Sequence, residues 1–229
     1  MSYVLHYAPD NASLIVRLAL DMLAAPYKTV LVDRSRQEQR GATYRALNPN
    51  GLIPTLETPQ GTLFETGAIL LWLVDRHRDL GAQVHDPDRG DFLKWLFFCA
   101  NTVHPHMQLL FYPGKLIGIA PAHRQRVTDG AQQMLLRDFA TLDAVAGTVF
   151  GTDKLTVIDL YIGCMLRWCA IYGPDNRDWF RLVDWPALVQ VCKRLDQNPA
   201  TAIARAAEGL GPTPFSAPHR PNPPEGSAQ

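Results

Sequence analysis

The sequence predicts an α/β unit over residues 1–78, a short linker over 79–88 and an all-helical unit over 89–210. Three observations carry this. Short strand-like runs alternate with helical stripes up to residue 78, and every later apolar pattern has helical spacing. The polar stretch 79–87, with Gly81 and Pro87, separates the two regimes.

Tyr3-Val4-Leu5-His6-Tyr7 reads as a strand and residues 8–12 as its exit loop. Residues 13–24 follow with a helical stripe through Leu14, Leu18 and Met22, which Pro26 ends. Residues 28–32 give a second strand and 39–46 a polar helix. Leu56 and Leu63-Phe64 end two short strands around the turn Pro59-Gln60-Gly61, so a hairpin is predicted. In the helical unit a long helix opens at Asp88 or Asp91 and runs through Leu96, Val103 and Met107. Pro121 suits the first position of another, reaching about Val145. Thr156-Val157-Ile158-Asp159 is a capping motif with Leu155 and Leu160 as its staple. Residues 211–229 turn to Gly, Pro, Ser and Ala without apolar period and read as a disordered tail.

Lys+Arg and Asp+Glu both number 22 in 229 residues, so no net field favours nucleic acid or an anionic membrane. No apolar run approaches a bilayer span, and the N-terminus reads as a strand rather than a signal peptide. A cytoplasmic protein is expected. Cys99, Cys164, Cys169 and Cys192 sit in apolar helical contexts without CxxC or zinc-ligand spacing, so buried free thiols and no metal are expected.

The most informative stretch is Asn48-Pro49-Asn50-Gly51-Leu52-Ile53-Pro54-Thr55-Leu56 followed by Glu65-Thr66-Gly67-Ala68-Ile69. A cis bond before Pro54 costs only about 0.5 to 1 kcal/mol and turns the Ile53 amide and carbonyl toward an extended peptide, which docks by strand addition. Thr66 can cap the next helix, whose free amides attract a carboxylate. Glu65 offers an acceptor for an ammonium group, so one locus receives both ends of an amino acid.

The string N-P-x-G-x-(V/I)-P-x-L, then E-(S/T)-x-A-I, resembles the thioredoxin-like half of cytosolic glutathione transferases. Thr156 to Asp159 resembles the capping motif of that family's buried helix, and Asp184-Trp185-Pro186-Ala187-Leu188 with Asn198-Pro199-Ala200 resembles its penultimate helix and exit. The resemblance covers about residues 1–209. It implies a thioredoxin-like N-terminal domain before the all-α C-terminal domain, glutathione as co-substrate, a small hydrophobic electrophile and a homodimer. By the same resemblance Leu52, Ile53 and Pro54 hold the cysteinyl part of glutathione, and Glu65 and Thr66 its γ-glutamyl end.

Transfer needs the ligand thiol ionised, and a free thiol titrates near ~8.5. Family members supply a Tyr, Ser or Cys in the loop after the first strand. Here the beta-class cysteine falls on Ala12, and the omega-class cysteine and theta-class serine fall on Asp10. Asn11, through its amide, or Ser13, through its hydroxyl, is the remaining donor, unless it caps the first helix. His104 resembles the beta-class histidine that faces the sulfur, or is a satisfied core residue. Phe111, Tyr112, Tyr161, Arg167 and Trp168 either line a second-substrate pocket or pack the helices, and Arg34, Arg36, Arg40 and Arg45 form a solvated face or meet the glycyl carboxylate. The alternatives to transfer are a glutathione-dependent isomerase or peroxidase and a non-catalytic binding module of the same fold.

Overall fold

The computed structural model describes residues 2–118, 120–173 and 178–228, so Met1 and Gln229 lie outside it. Its N-terminal unit is a four-stranded sheet in the order β2-β1-β3-β4. β1 (Tyr3–Tyr7) runs parallel to β2 (Tyr27–Leu31), with Leu5 opposite Thr29. It runs antiparallel to β3 (Thr55–Thr58), with Leu5 opposite Leu56, and β3 turns back into β4 (Gly61–Phe64). The parallel pair needs a crossover, which α1 (Ser13–Met22) supplies. α2 (Ala42–Leu47) follows a 3-10 turn at Glu38–Arg40, and α3 (Thr66–His77) closes the unit as a thioredoxin-like arrangement.

α1 is buried on every side from Ser13 to Leu20, because the helical unit covers the face that the sheet leaves open. The segment after α3 is pinned rather than loose: Leu80 is buried and its carbonyl accepts the Val157 amide at 2.9 Å. The helical unit comprises α4 (Arg89–Phe98), α5 (His104–Phe111), α6 (Pro113–Ile117), α7 (Pro121–Val145), α8 (Val157–Ile171), α9 (Pro186–Gln197) and α10 (Pro199–Glu208). Among the described residues no helix is long and apolar enough to cross a membrane. α8 is the central helix, its start fixed as the motif predicts: the Thr156 amide and hydroxyl both donate to Asp159 Oδ2 at 2.8 Å.

The long helix expected through Met107 is interrupted. One π turn, Cys99–Val103, joins α4 to α5. Pro105 has no N–H for the Asn101 carbonyl and its ring crowds that carbonyl, so the chain widens for a turn before resuming. That places His104 at the seam between the two units.

The tail contradicts the expectation of disorder. Pro214 and Phe215 are buried, Phe215 completely. The amides of Phe215 and Ser216 donate to the Asp196 carboxylate at 2.9 Å, and Asn222 N reaches Gly209 O at 2.9 Å. Gly209 permits that approach: its φ is +63°, and a Cβ there would stand 1.9 Å from Asn222 O. Farther on, Tyr7 donates to Glu225, and Arg34 Nη1 donates to Ala228 O at 3.1 Å. Composition misleads here because one aromatic anchor and backbone carbonyls taken up by arginines, the buried Arg167 foremost, order a segment with little apolar content of its own.

Candidate functional site

Between the two units lies a cleft of about 1360 Å³. Its first wall is the Leu52–Pro54 segment. Tyr44 OH and Asn48 Nδ2 donate to the Leu52 carbonyl at 2.7 and 2.8 Å, which fixes the segment from behind. Gly51 makes the turn into it at φ +63°, and a Cβ there would stand 2.7 Å from Gln39 O. The Ile53–Pro54 bond is cis. Among the described residues neither the amide nor the carbonyl of Ile53 has a backbone partner, so the edge is open to a peptide.

The second wall is the start of α3. Glu65, not Thr66, is the N-cap residue, at φ 69°, and no side chain caps the helix. The first amide to find a helical carbonyl is that of Ile69, on Glu65 O at 3.0 Å. The amides of Thr66, Gly67 and Ala68, all on the cleft, are thereby left for a ligand anion. Glu65 stays exposed at the rim.

The third wall comes from the helical unit and the β1–α1 loop. Asn11 and His104 line it with Tyr161, Trp168 and Phe111. His104 Nδ1 meets Tyr161 OH at 2.8 Å, and the Thr66 side chain bonds the same hydroxyl. Burial pushes the His104 imidazole down to about 4 and the Tyr161 phenol up, so both are neutral at physiological pH. Asn11 is half-buried, and its side-chain amide has no hydrogen-bond partner among the described residues.

Leu52, Ile53, Pro54, Glu65, Thr66, Asn11 and His104 thus meet in one cleft. Ser13 does not. It is fully buried, and its Oγ donates to Ala8 O at 3.0 Å and accepts from Ala8 N at 3.3 Å, closing the loop on itself. Neither Asn11 nor Ser13 caps α1. Arg34, Arg40 and Arg45 line the cleft, whereas Arg36 lies outside it near Glu38.

Asp10 is the residue whose part the sequence hid. Its carboxylate is engaged bidentately by Arg167 at 2.9 and 2.8 Å, and it accepts from Trp168 Nε1 at 2.9 Å and Tyr172 OH at 2.7 Å. Arg167 is therefore no pocket residue. It is fully buried and also donates to Pro214 O and His219 O at 2.9 and 3.0 Å. The Asp10 amide donates to Glu208 at 2.7 Å, and Glu208 pairs with Arg17 at the same distance. Burial pushes the Glu208 carboxyl up to about 7 even with Arg17 alongside. This network fixes the loop that carries Asn11. The signal was legible: Arg167 in the apolar run Met165-Leu166-Arg167-Trp168-Cys169 demands a carboxylate.

All four cysteines are free and buried, and burial pushes their thiols up, so none supplies a thiolate to the cleft.

The model of the glutathione S-transferase N-terminal domain matches residues 12–76. Glutathione S-transferase GstA of Escherichia coli O157:H7 is 26% identical over 212 residues, 90% of this chain and 98% of its own. Glutathione S-transferase GstB of Escherichia coli K12 is 29% identical over 190 residues, 77% of this chain and 90% of its own. The structure of a sphingomonad glutathione S-transferase complexed with glutathione is 28% identical with a TM-score of 0.74, covering 91% of this chain and all of that one. Sheet order, helical unit and cleft agree with these likenesses: the chain is similar to glutathione transferases over most of its length, and residues 12–76 match their N-terminal domain.

Proposed function

We propose that the protein is a glutathione transferase that uses glutathione as co-substrate and adds its sulfur to a small electrophile. The observation that carries this reading is the meeting, in one cleft, of an unpaired peptide edge at Ile53, free amides at the start of α3 and a carboxylate at Glu65. An extended peptide with an amino-acid head matches all three. The relative solved with glutathione supports the same ligand.

In this reading the cysteinyl backbone pairs with Ile53, the γ-glutamyl carboxylate takes the amides of Thr66, Gly67 and Ala68, and Glu65 takes the ammonium. The Thr66 hydroxyl serves Tyr161 instead of the ligand. Asn11 offers an uncommitted amide donor to the sulfur, and a donor to the anion lowers a thiol pKa by favouring the charged form. With Thr66 donating to Tyr161, and Tyr161 to His104 Nδ1, the Nε2–H of His104 is a second neutral donor on the same wall. The thiol proton leaves to solvent, the thiolate forms a C–S bond to the electrophilic carbon, and the leaving group departs with its electron pair. We further propose that the protein acts as a cytoplasmic homodimer, read by light scattering and by localisation of a tagged chain.

Titration calorimetry with glutathione, then turnover of a neutral aryl halide with and without glutathione, tests this. Binding with glutathione-dependent turnover is the expected result. Binding without turnover returns a binding module, and no binding overturns the reading.

A further inference from the structure

The chain as a whole is electrically balanced, with 22 cationic and 22 anionic side chains, but its cleft is not. Arg34, Arg40, Arg45, Lys115 and Arg124 line it, against Asp10 and Glu65 alone among acidic residues. Asp10 is neutralised by Arg167 from behind the wall, which leaves Glu65. Among the described residues none of the five cations has a carboxylate within salt-bridge reach. Unpaired like charges in a concave site repel one another and focus a field that draws in an anion.

The five fall into two groups. Arg40 and Arg45 belong to the segment behind the peptide edge, where Arg45 Nε lies 3.6 Å from a Cβ built on Gly51. In the transferase reading these two take the glycyl carboxylate of a bound glutathione. The other three gather at the far mouth around Tyr112. Lys115 Nζ stands 3.9 Å from the Tyr112 ring centroid, and Arg34 Nη2 donates to Tyr112 OH at 3.3 Å. Arg124 crosses to Gly118 O at 3.1 Å, its guanidinium against Gly114. Their partners are a ring, a phenol and backbone carbonyls, all neutral. Phe111 and Met107 supply apolar lining to the same cleft.

Resting on the transferase reading, we infer that the second substrate is an aromatic or alkyl electrophile bearing its own acidic group, held by Lys115, Arg124 and Arg34 at the mouth while its reactive carbon faces the sulfur. Glutathione consumes the anion sites of the α3 amides and of Arg40 and Arg45. The Tyr112 group is left with no anion of its own to bind.

The test measures binding by calorimetry at low salt of glutathione, of its S-(carboxynitrophenyl) conjugate and of that conjugate methyl-esterified at the aryl carboxyl alone, which removes that one charge and adds one methyl. The acid conjugate is expected to bind about tenfold tighter than the ester, the scale of one charge-assisted hydrogen bond. Lys115→Gln with Arg124→Gln should bring the two within about twofold while glutathione affinity holds, and added salt should erode the wild-type preference. Equal binding of acid and ester to the wild type, or a preference that survives the double substitution, overturns the acid site alone. Failure of glutathione itself to bind overturns the transferase reading and this inference with it.

Discussion

Asp10→Asn isolates what the buried ion pair does for the loop that carries Asn11. Asp10 and Arg167 have no exposed side-chain surface, and their bidentate contact runs at 2.9 and 2.8 Å. Asparagine keeps the size and one acceptor but removes the charge, so Arg167 is left buried with only neutral partners, Pro214 O and His219 O among them. Breaking such a pair from one side costs about 3 to 5 kcal/mol. For a chain of this length that is a fall in melting temperature of about 6 to 20 °C. Arg167→Met alone strands the carboxylate in turn, though Trp168 and Tyr172 still donate to it. The double variant removes both charges and should be much less destabilised than the sum of the two. Urea unfolding of the four proteins gives the cycle. A loss under 1 kcal/mol for Asp10→Asn, or strictly additive effects, refutes the claim that this pair fixes the loop.

Phe215→Ala removes a fully buried ring from the tail and should cost about 3 to 5 kcal/mol in urea unfolding, whereas an unaltered midpoint would return the tail to the disordered class. His104 lies below its unfolded value of 6.5, at about 4, so the stability it contributes is full above pH 6.5 and is lost as pH falls toward 4. The loss approaches about 3 kcal/mol, and His104→Gln should flatten the acid side of a melting-temperature profile; parallel profiles for the two proteins contradict the burial argument. Glu65→Gln should weaken glutathione by about 1.5 to 3 kcal/mol in calorimetry, since a charged ammonium then meets a neutral acceptor, and unchanged affinity removes Glu65 from the site.

Local patterns in the sequence identified the elements that local physics governs. The hairpin, the Thr156 capping box and the proline-started helix α7 sit where side-chain chemistry within a few residues demands them. The open edge at Ile53 was legible for the same reason, because Gly51, Ile53, Pro54 and Glu65 shape it through backbone geometry close at hand. Distance in the chain hid the rest. Asp10 pairs with a residue 157 positions away, and Ser13, read as a donor, turns inward to Ala8 because a buried hydroxyl takes the nearest backbone partners. The tail escaped composition because, apart from the Phe215 anchor, its order comes from Arg167, Asp196 and Gly209, all outside it.

The central claim is that the cleft holds glutathione with its sulfur ionised beside Asn11. Absorbance of the thiolate followed against pH, with glutathione saturating the wild type and Asn11→Ala, tests it most directly. A bound-thiol midpoint well below the free value of ~8.5 in the wild type, rising in Asn11→Ala with affinity largely retained, is the predicted result. A wild-type midpoint at the free value contradicts the account, and a depressed midpoint that Asn11→Ala leaves in place takes the role from Asn11.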